Sequence, residues 1–132
     1  MNYIENMPVA AKAIADLREA VGWNRMEKSF GNPAMTSYYH IAACDGERLV
    51  GYVDCVSNGV TDAYIQDLMV HPDYQHKGIG RELMQHTLAR LRRDGIYMVS
   101  VIYGDAELQR YYEDFGFTTM LCGQTELRPG CD

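Results

Sequence analysis

The chain has 132 residues, which is enough for one ordinary domain with a buried core and too few for two. Apolar residues make up 47% and charged residues 23%, close to the globular average, which argues against a disordered or fibrous protein. A net charge of -6 disfavours general affinity for nucleic acid, and no stretch approaches the ~20 apolar residues that span a bilayer. We therefore expect a single domain over residues 1–132 that is cytoplasmic and has no membrane or nucleic-acid partner.

The cysteines and histidines show neither a disulfide framework nor a metal-site spacing. No CxxC pair occurs among Cys44, Cys55, Cys122 and Cys131, which favours free thiols. No HExxH pattern occurs around His40, His71, His76 and His86, so we expect no metal.

The first half of the chain predicts a helix followed by an antiparallel meander. Apolar residues recur at helical spacing over residues 8–21, with Pro8 suited to the first turn and Gly22 placed to end the helix. A short second helix is expected to stop before Gly31. Strand-like segments then follow at about 38–44, 48–57 and 61–71, separated by the turn signals Asp45-Gly46 and Asn58-Gly59.

The second half of the chain predicts a crossover added to that meander. A long helix with an apolar stripe starts near Ile79 and is closed by Gly95. The run IYMVSVI, residues 96–102, predicts a buried strand beside the strand that ends at Val70. A last helix is expected over residues 106–115, and FTTMLC, residues 117–122, predicts a last strand. The resulting fold class is α/β, a twisted mixed sheet of six to seven strands with helices on both faces.

The segment LMVHPDYQHKGIGREL, residues 68–83, carries the strongest functional signal. A buried strand runs into Pro72, and Gly78 and Gly80 open a long helix, so backbone N–H groups can approach an anion at the positive end of the helix dipole. Lys77 and Arg81 add positive charge. The pattern predicts a diphosphate cradle, although a tight strand-to-helix turn would have the same glycines. A Walker A loop and a GxGxxG dinucleotide fingerprint are both absent.

Two motifs resemble those of the GNAT N-acetyltransferase family. VHPDYQHKGIGREL resembles that family's acetyl-CoA signature, Q/R-x-x-G-x-G/A after a strand ending near V-x-P, and YYEDFGF resembles its C-terminal helix and strand signature. The resemblance covers residues 37–122 and implies a GNAT fold and acetyl transfer from acetyl-CoA, as cosubstrate, to an amine of a small molecule or peptide. It also makes a homodimer plausible.

The resemblance also implies roles for individual residues. The backbone of Leu68, Met69 and Val70 would pair with the pantetheine arm of the coenzyme, as an added strand pairs with an open sheet edge. Tyr112 would protonate the departing thiolate. Asp105 stands where members of the family often carry Asn, which departs from their pattern. The pyrophosphate would be bound by the backbone amides of Gln75, His76, Lys77, Gly78, Ile79 and Gly80, together with Arg81.

Some assignments stay open at the level of sequence. Simple alternation places Tyr64, Gln66, Leu68 and Val70 on one face of the central strand and Ile65, Asp67 and Met69 on the other, and a bulge would invert that parity. Asp62 and Asp67 are possible bases, but none is assigned, because water can also carry the proton. The aromatic residues that either line an acceptor pocket or pack the core are Trp23, Phe30, Tyr38 and Tyr39.

Because neither signature contains a cysteine, direct transfer in a ternary complex is expected rather than an acetylated enzyme. The alternatives are a non-catalytic acyl-CoA-binding sensor of the same fold and an ATP-binding domain that uses the glycine cradle. The absence of a Walker lysine disfavours the ATP-binding domain.

Overall fold

The computed structural model describes residues 1–131 and shows a five-stranded mixed sheet with helices on both faces. The strands are β1 (Asn2–Glu5), β2 (Tyr39–Asp45), β3 (Arg48–Ser57), β4 (Asp62–Val70) and β5 (Met98–Val101), and the helices are α1 (Ala11–Ala20), α2 (Glu27–Phe30), α3 (Ile79–Arg93) and α4 (Ala106–Glu113). Short 3-10 turns lie at Pro33–Thr36 and Pro72–Tyr74. Within this range no helix is long and apolar enough to cross a membrane.

The strands follow chain order across the sheet, and only β4 and β5 are parallel. The meander and the crossover through α3 are as predicted, but the first strand was not predicted. Residues 2–5 are too few to show a period-2 pattern, and they become a strand because their backbone pairs with β2, from Asn2 opposite Cys44 to Glu5 opposite Ile41. Helix α1 is shorter than the predicted 8–21, and Gly22 follows it with φ +88°.

Two apolar clusters lie on opposite faces of the sheet. On one face α3 and α4 cover the sheet with residues such as Leu83, Met84 and Tyr112. On the other face Ile14 and Leu17 of α1 pack with Phe30, Tyr52 and Met69. The predicted fold class is therefore confirmed, although the sheet has five strands rather than six to seven.

The missing strands are at the C-terminal end. FTTMLC was predicted as a strand, but residues 117–122 form no ladder, and Met120 and Leu121 are exposed. As a result β5 is an edge strand, so the prediction that it is buried was wrong: Met98 is 49% exposed. The start of this segment packs through Phe117 on Tyr112, and the Thr119 and Tyr103 hydroxyls share a hydrogen bond.

The four cysteines have no disulfide among the described residues, as the spacing predicted. Cys55 is buried in β3 and Cys44 is half-buried in β2. Burial raises the pKa of the Cys55 thiol to about 12 and also raises the pKa of Cys44. Both thiols are therefore protonated at neutral pH and are poor nucleophiles.

Candidate active site

The sheet opens between β4 and β5. Their parallel pairing runs from Asp62 opposite Met98 to Ile65 opposite Val101 and then stops, although β4 continues to Val70. Residues 66–70 of β4 thus have a free edge on the side where β5 would continue. An unpaired strand edge carries a row of unused N–H and C=O groups, so this edge can bind an extended ligand by strand addition.

A β-bulge interrupts β4 where this opening begins. Tyr52 lies opposite Met69 and Asp54 lies opposite Gln66, so one extra residue is inserted in β4, and Asp67 has φ +60°. The simple alternation predicted for this strand is therefore wrong, and the bulge inverts the parity. Gln66 and Met69 are partners of residues on the α1 face, whereas Leu68 and Val70 pack against the cluster under α3.

The loop after β4 leads into helix α3, whose first-turn backbone N–H groups have no side-chain cap. His76 has φ +63° and Gly78, the N-cap of α3, has φ +84° with no side chain to cap the first turn. A Cβ at Gly78 would meet nothing within 4 Å, so this glycine is required by its backbone conformation rather than by packing. The first-turn N–H groups and the positive end of a 15-residue helix consequently face outward beside the open edge of β4.

The residues predicted to bind the coenzyme lie along the free edge of β4 and at the start of α3, but they differ in burial. Met69 and Ile79 are core residues, so only their backbones are available, and the Gln75 side chain already donates to the Val70 carbonyl at 3.0 Å. Leu68, Val70 and Gly80 are half-buried, and the exposed members of the set are Gln75, His76, Lys77, Gly78 and Arg81. The structure brings all ten to the end of β4 and the start of α3.

The two adjacent tyrosines of α4 have different surroundings. Tyr112 is 6% exposed, stacks on Tyr103 with ring centroids 5.2 Å apart, and has its pKa raised to about 12 by burial. The Tyr111 hydroxyl is buried without a hydrogen-bond partner among residues 1–131, and it would lie 3.0 Å from a Cβ at Gly80. Burial also raises the pKa of Tyr111. Both hydroxyls therefore keep their protons at neutral pH.

A buried polar network under α1 was not predicted. The Tyr52 hydroxyl donates to Asp54 Oδ2 at 3.0 Å, and the Arg18 guanidinium donates to Asp67 Oδ1 at 2.6 Å. Asp54 is 1% exposed, and burial together with the charge of Asp67 raises its pKa to about 9. The sequence signal was an aspartate in the middle of the apolar run GYVDCV, because a charge there has to find a partner inside the fold.

The four aromatic residues considered for an acceptor pocket do not form one wall. Tyr39 packs in the cluster under α3 and Phe30 in the cluster under α1, on opposite faces of the sheet. Tyr38 hydrogen-bonds Asp94 at the end of α3, and Trp23 is 41% exposed with the Arg18 guanidinium 5.3 Å from its ring centroid. Asp105, by contrast, has a clear structural role, since its side chain caps α4 by accepting from the Leu108 N–H at 2.8 Å.

The chain is similar to known proteins in both sequence and fold. Residues 9–117 match the acetyltransferase (GNAT) family. An uncharacterized ycf52-like N-acetyltransferase of Prochlorococcus marinus is 31% identical over 110 residues, covering 80% of this chain and 61% of that protein, so the chain spans less than two thirds of that relative's length. A GNAT family acetyltransferase from Streptococcus pneumoniae has a TM-score of 0.77 at 26% identity, covering 95% of this chain and 98% of that one. An aminoglycoside 6'-N-acetyltransferase solved with coenzyme A has a TM-score of 0.61 at 22% identity, covering 74% and 61%, and shares the fold.

Proposed function

The chain belongs to the acetyltransferase (GNAT) family, and on this premise we propose that it is an acetyl-CoA-dependent N-acetyltransferase. It transfers the acetyl group directly to an amine of a small molecule or peptide. The observation that carries the proposal is the open, bulged edge of β4, which runs into an uncapped helix start. A cytoplasmic location and a homodimer remain predictions from the sequence.

The free edge of β4 and the helix start fit two chemically different parts of one ligand. Backbone groups of Leu68, Met69 and Val70 can pair with the amides of a pantetheine arm, as in strand addition. The amides from Gln75 to Gly80, with Arg81 beside them, suit a diphosphate at the helix N-terminus. Acetyl-CoA contains both parts in one molecule and supplies the thioester.

Direct transfer needs a neutral amine, polarisation of the thioester carbonyl and a proton for the thiolate. The backbone N–H of Leu68, next to the bulge, is the donor we assign to the carbonyl oxygen, because β4 has no partner strand on that side beyond Ile65. Tyr112, the tyrosine that the family resemblance indicates, is the proton donor we assign to the sulfur, and burial keeps it protonated at neutral pH. The protonated thiols of Cys44 and Cys55 favour this direct route over an acetylated cysteine.

Ligand-dependent stability tests the coenzyme part of the proposal. Acetyl-CoA at 100 times its Kd should stabilise the fold by about 2.7 kcal/mol, whereas ATP and NAD should not shift the Tm, because neither offers an extended arm to the β4 edge. The absence of a Tm shift at millimolar acetyl-CoA would contradict the proposal.

An acetylation screen tests the transfer itself. Polyamines, amino acids, aminoglycosides and peptide N-termini are each incubated with acetyl-CoA, and release of the coenzyme thiol is followed. Amine-dependent thiol release supports the transferase. Coenzyme binding with neither hydrolysis nor transfer would instead identify a non-catalytic acyl-CoA-binding module.

A further inference from the structure

A row of buried polar side chains crosses the face of the sheet that α1 covers. His40 of β2 lies directly opposite Asp54 of β3, and Asp54 lies opposite Gln66 of β4. The bulge then turns Asp67 to the same side, where Arg18 of α1 pairs with it. A polar row in a layer otherwise filled by apolar side chains and Tyr52 costs stability, and such exceptions to the apolar pattern are expected at functional or strained sites.

Two atoms of this row lack partners. Among residues 1–131, Asp54 Oδ1 and His40 Nδ1 are buried without a hydrogen-bond partner, although both side chains are more than nine-tenths buried. A buried polar atom without a partner destabilises the fold unless a proton or a ligand satisfies it. Asp54 lies opposite Gln66, the residue before Asp67, and burial together with the charge of Asp67 raises the pKa of Asp54. A buried carboxyl oxygen without a partner, next to a second carboxyl group, fits a single proton held by the pair.

We propose that Asp67 and Asp54 form a proton-sharing pair that takes the proton from the acceptor ammonium, with Asp67 meeting the amine and Asp54 as the positioning residue behind it. This inference rests on the proposed acetyl transfer. The Asp67 side chain keeps 16% of its surface exposed, while Asp54 is 1% exposed, so only Asp67 can be reached from outside. Asp67 also directly precedes Leu68, the residue whose N–H group we assign to the thioester carbonyl.

The proton balance follows a closed cycle. At rest the pair holds one proton. An ammonium ion that approaches Asp67 favours the charged form of the pair, so the shared proton leaves to solvent. The ammonium then gives its own proton to the pair and becomes a neutral amine. The nitrogen lone pair then forms the N–C bond to the acetyl carbon. The C–S bond breaks, and its electron pair stays on sulfur. The remaining excess proton passes from nitrogen to sulfur, directly or through Tyr112. The products are the acetylated amine, the free thiol and one released proton.

The surroundings of the pair set the pH at which this cycle runs. Arg18 on Asp67 favours the ionised pair, whereas burial and the mutual repulsion of the two carboxylates oppose it. Because the pKa of Asp54 is raised, the pair holds its one proton more tightly than an ordinary carboxylate does. The titratable and charged groups that face the pair are Arg18 from α1, His40 from β2, Tyr52 from β3 and Tyr64 from β4.

Three matched Asp→Asn variants test the pair. Asp67→Asn removes the base but keeps a residue that tolerates φ +60°. Asp54→Asn replaces the buried carboxyl with an amide of the same shape, and Asp62→Asn changes an exposed aspartate at the start of the same strand as the control. The measurements are kcat and KM against pH with an amine from the screen, the Tm shift with acetyl-CoA, and the infrared carbonyl band of a protonated carboxyl in the free protein.

The expected results separate catalysis from folding. Asp67→Asn should lower kcat/KM by about 10²- to 10⁴-fold, with the acetyl-CoA shift unchanged. Asp54→Asn should move the rising limb of the pH–rate profile to lower pH, because the carboxyl group whose pKa is raised by burial is gone, and should abolish the protonated-carboxyl band. Asp62→Asn should match the wild type in all three measurements.

Two results would overturn the pair while leaving the transferase intact. One is wild-type turnover in both Asp54→Asn and Asp67→Asn, and the other is the absence of the protonated-carboxyl band from the wild-type protein at neutral pH. If the wild-type protein acetylates no amine at all, the proposed function fails, and the catalytic role of the pair fails with it. Activity lost together with the acetyl-CoA shift in Asp67→Asn would show a folding defect and would also count against the pair.

Discussion

Replacing Asp54 with asparagine should stabilise the protein, and increasingly so as the pH rises. The Asp54 carboxyl is buried to 1% exposure, and its pKa is raised from 3.8 to about 9 by burial and by Asp67. In the folded state it keeps a proton that the unfolded chain releases above pH ~4. Stability from this group is therefore fully present at acid pH and is lost as the pH rises toward 9. The asparagine amide can donate to Asp67 at every pH, as protonated Asp54 does.

The magnitude follows from proton linkage. One proton bound by the folded chain and not by the unfolded chain changes the free energy of unfolding by ~1.4 kcal/mol per pH unit. Between pH 6 and pH 8 the wild type should thus lose about 2 to 3 kcal/mol relative to Asp54→Asn. All other titratable groups are the same in the two proteins, so the difference between the two curves isolates Asp54.

Urea unfolding at pH 6, 7 and 8 measures this difference. The wild-type, Asp54→Asn and Asp62→Asn proteins are compared at the same ionic strength, and only Asp54→Asn should diverge from the wild type as the pH rises. Parallel curves for all three proteins would refute the reasoning, because they would mean that Asp54 is ionised in the fold. A variant less stable than the wild type at pH 8 would mean that the carboxylate itself is required for packing.

Two further predictions concern α4 and the start of α3. Tyr112→Phe should lower turnover by about 10²- to 10⁴-fold with little change in coenzyme affinity. Tyr111→Phe should keep the wild-type turnover and at most stabilise the fold, because it removes a buried hydroxyl that has no partner among residues 1–131. Wild-type turnover in both variants would show that the thiolate leaves without a tyrosine. Gly80→Ala should destabilise the fold by about 1 to 3 kcal/mol in thermal unfolding, since its Cβ would lie 3.0 Å from the Tyr111 hydroxyl. Tyr111→Phe in the same chain should recover most of that loss, and failure to do so would place the strain elsewhere.

The parts of the fold that are encoded locally could be predicted from the sequence. Turn signals and apolar periodicity indicated the meander, the crossover helix and the glycine-rich helix start, because each depends on neighbours within a few residues. The strand at Asn2–Glu5 depends on pairing with residues about 40 positions away, and it carries no local signal of its own. The segment FTTMLC shows the opposite case: it has strand propensity, but it pairs with no other strand among the described residues.

The residues of the candidate site also differ in whether the local sequence predicts them. The coenzyme-facing residues were predictable, because a diphosphate is bound by backbone at a helix start and glycines mark that place. The acidic pair was not predictable, because Asp54 and Asp67 meet only when the parity of β4 is inverted, and alternation alone puts Asp67 on the face opposite Gln66. A bulge has no reliable signature in a single sequence, so the residues that depend on it escape prediction.

The bulge joins the two halves of the proposed site. In a regular strand with Gln66 toward α1, the next side chain would point into the apolar cluster under α3, where a carboxylate could find no partner. The inserted residue instead lets Gln66 and Asp67 both reach the α1 face, at the cost of a left-handed backbone at Asp67, about 1 to 2 kcal/mol for a residue with a side chain. The salt bridge to Arg18 offsets part of that cost. The pairing of β4 with β5 ends at Ile65, directly before the bulge, so the bulged residues of β4 lie at an open strand edge. A single inserted residue therefore places a proton acceptor beside the strand edge that would hold the thioester.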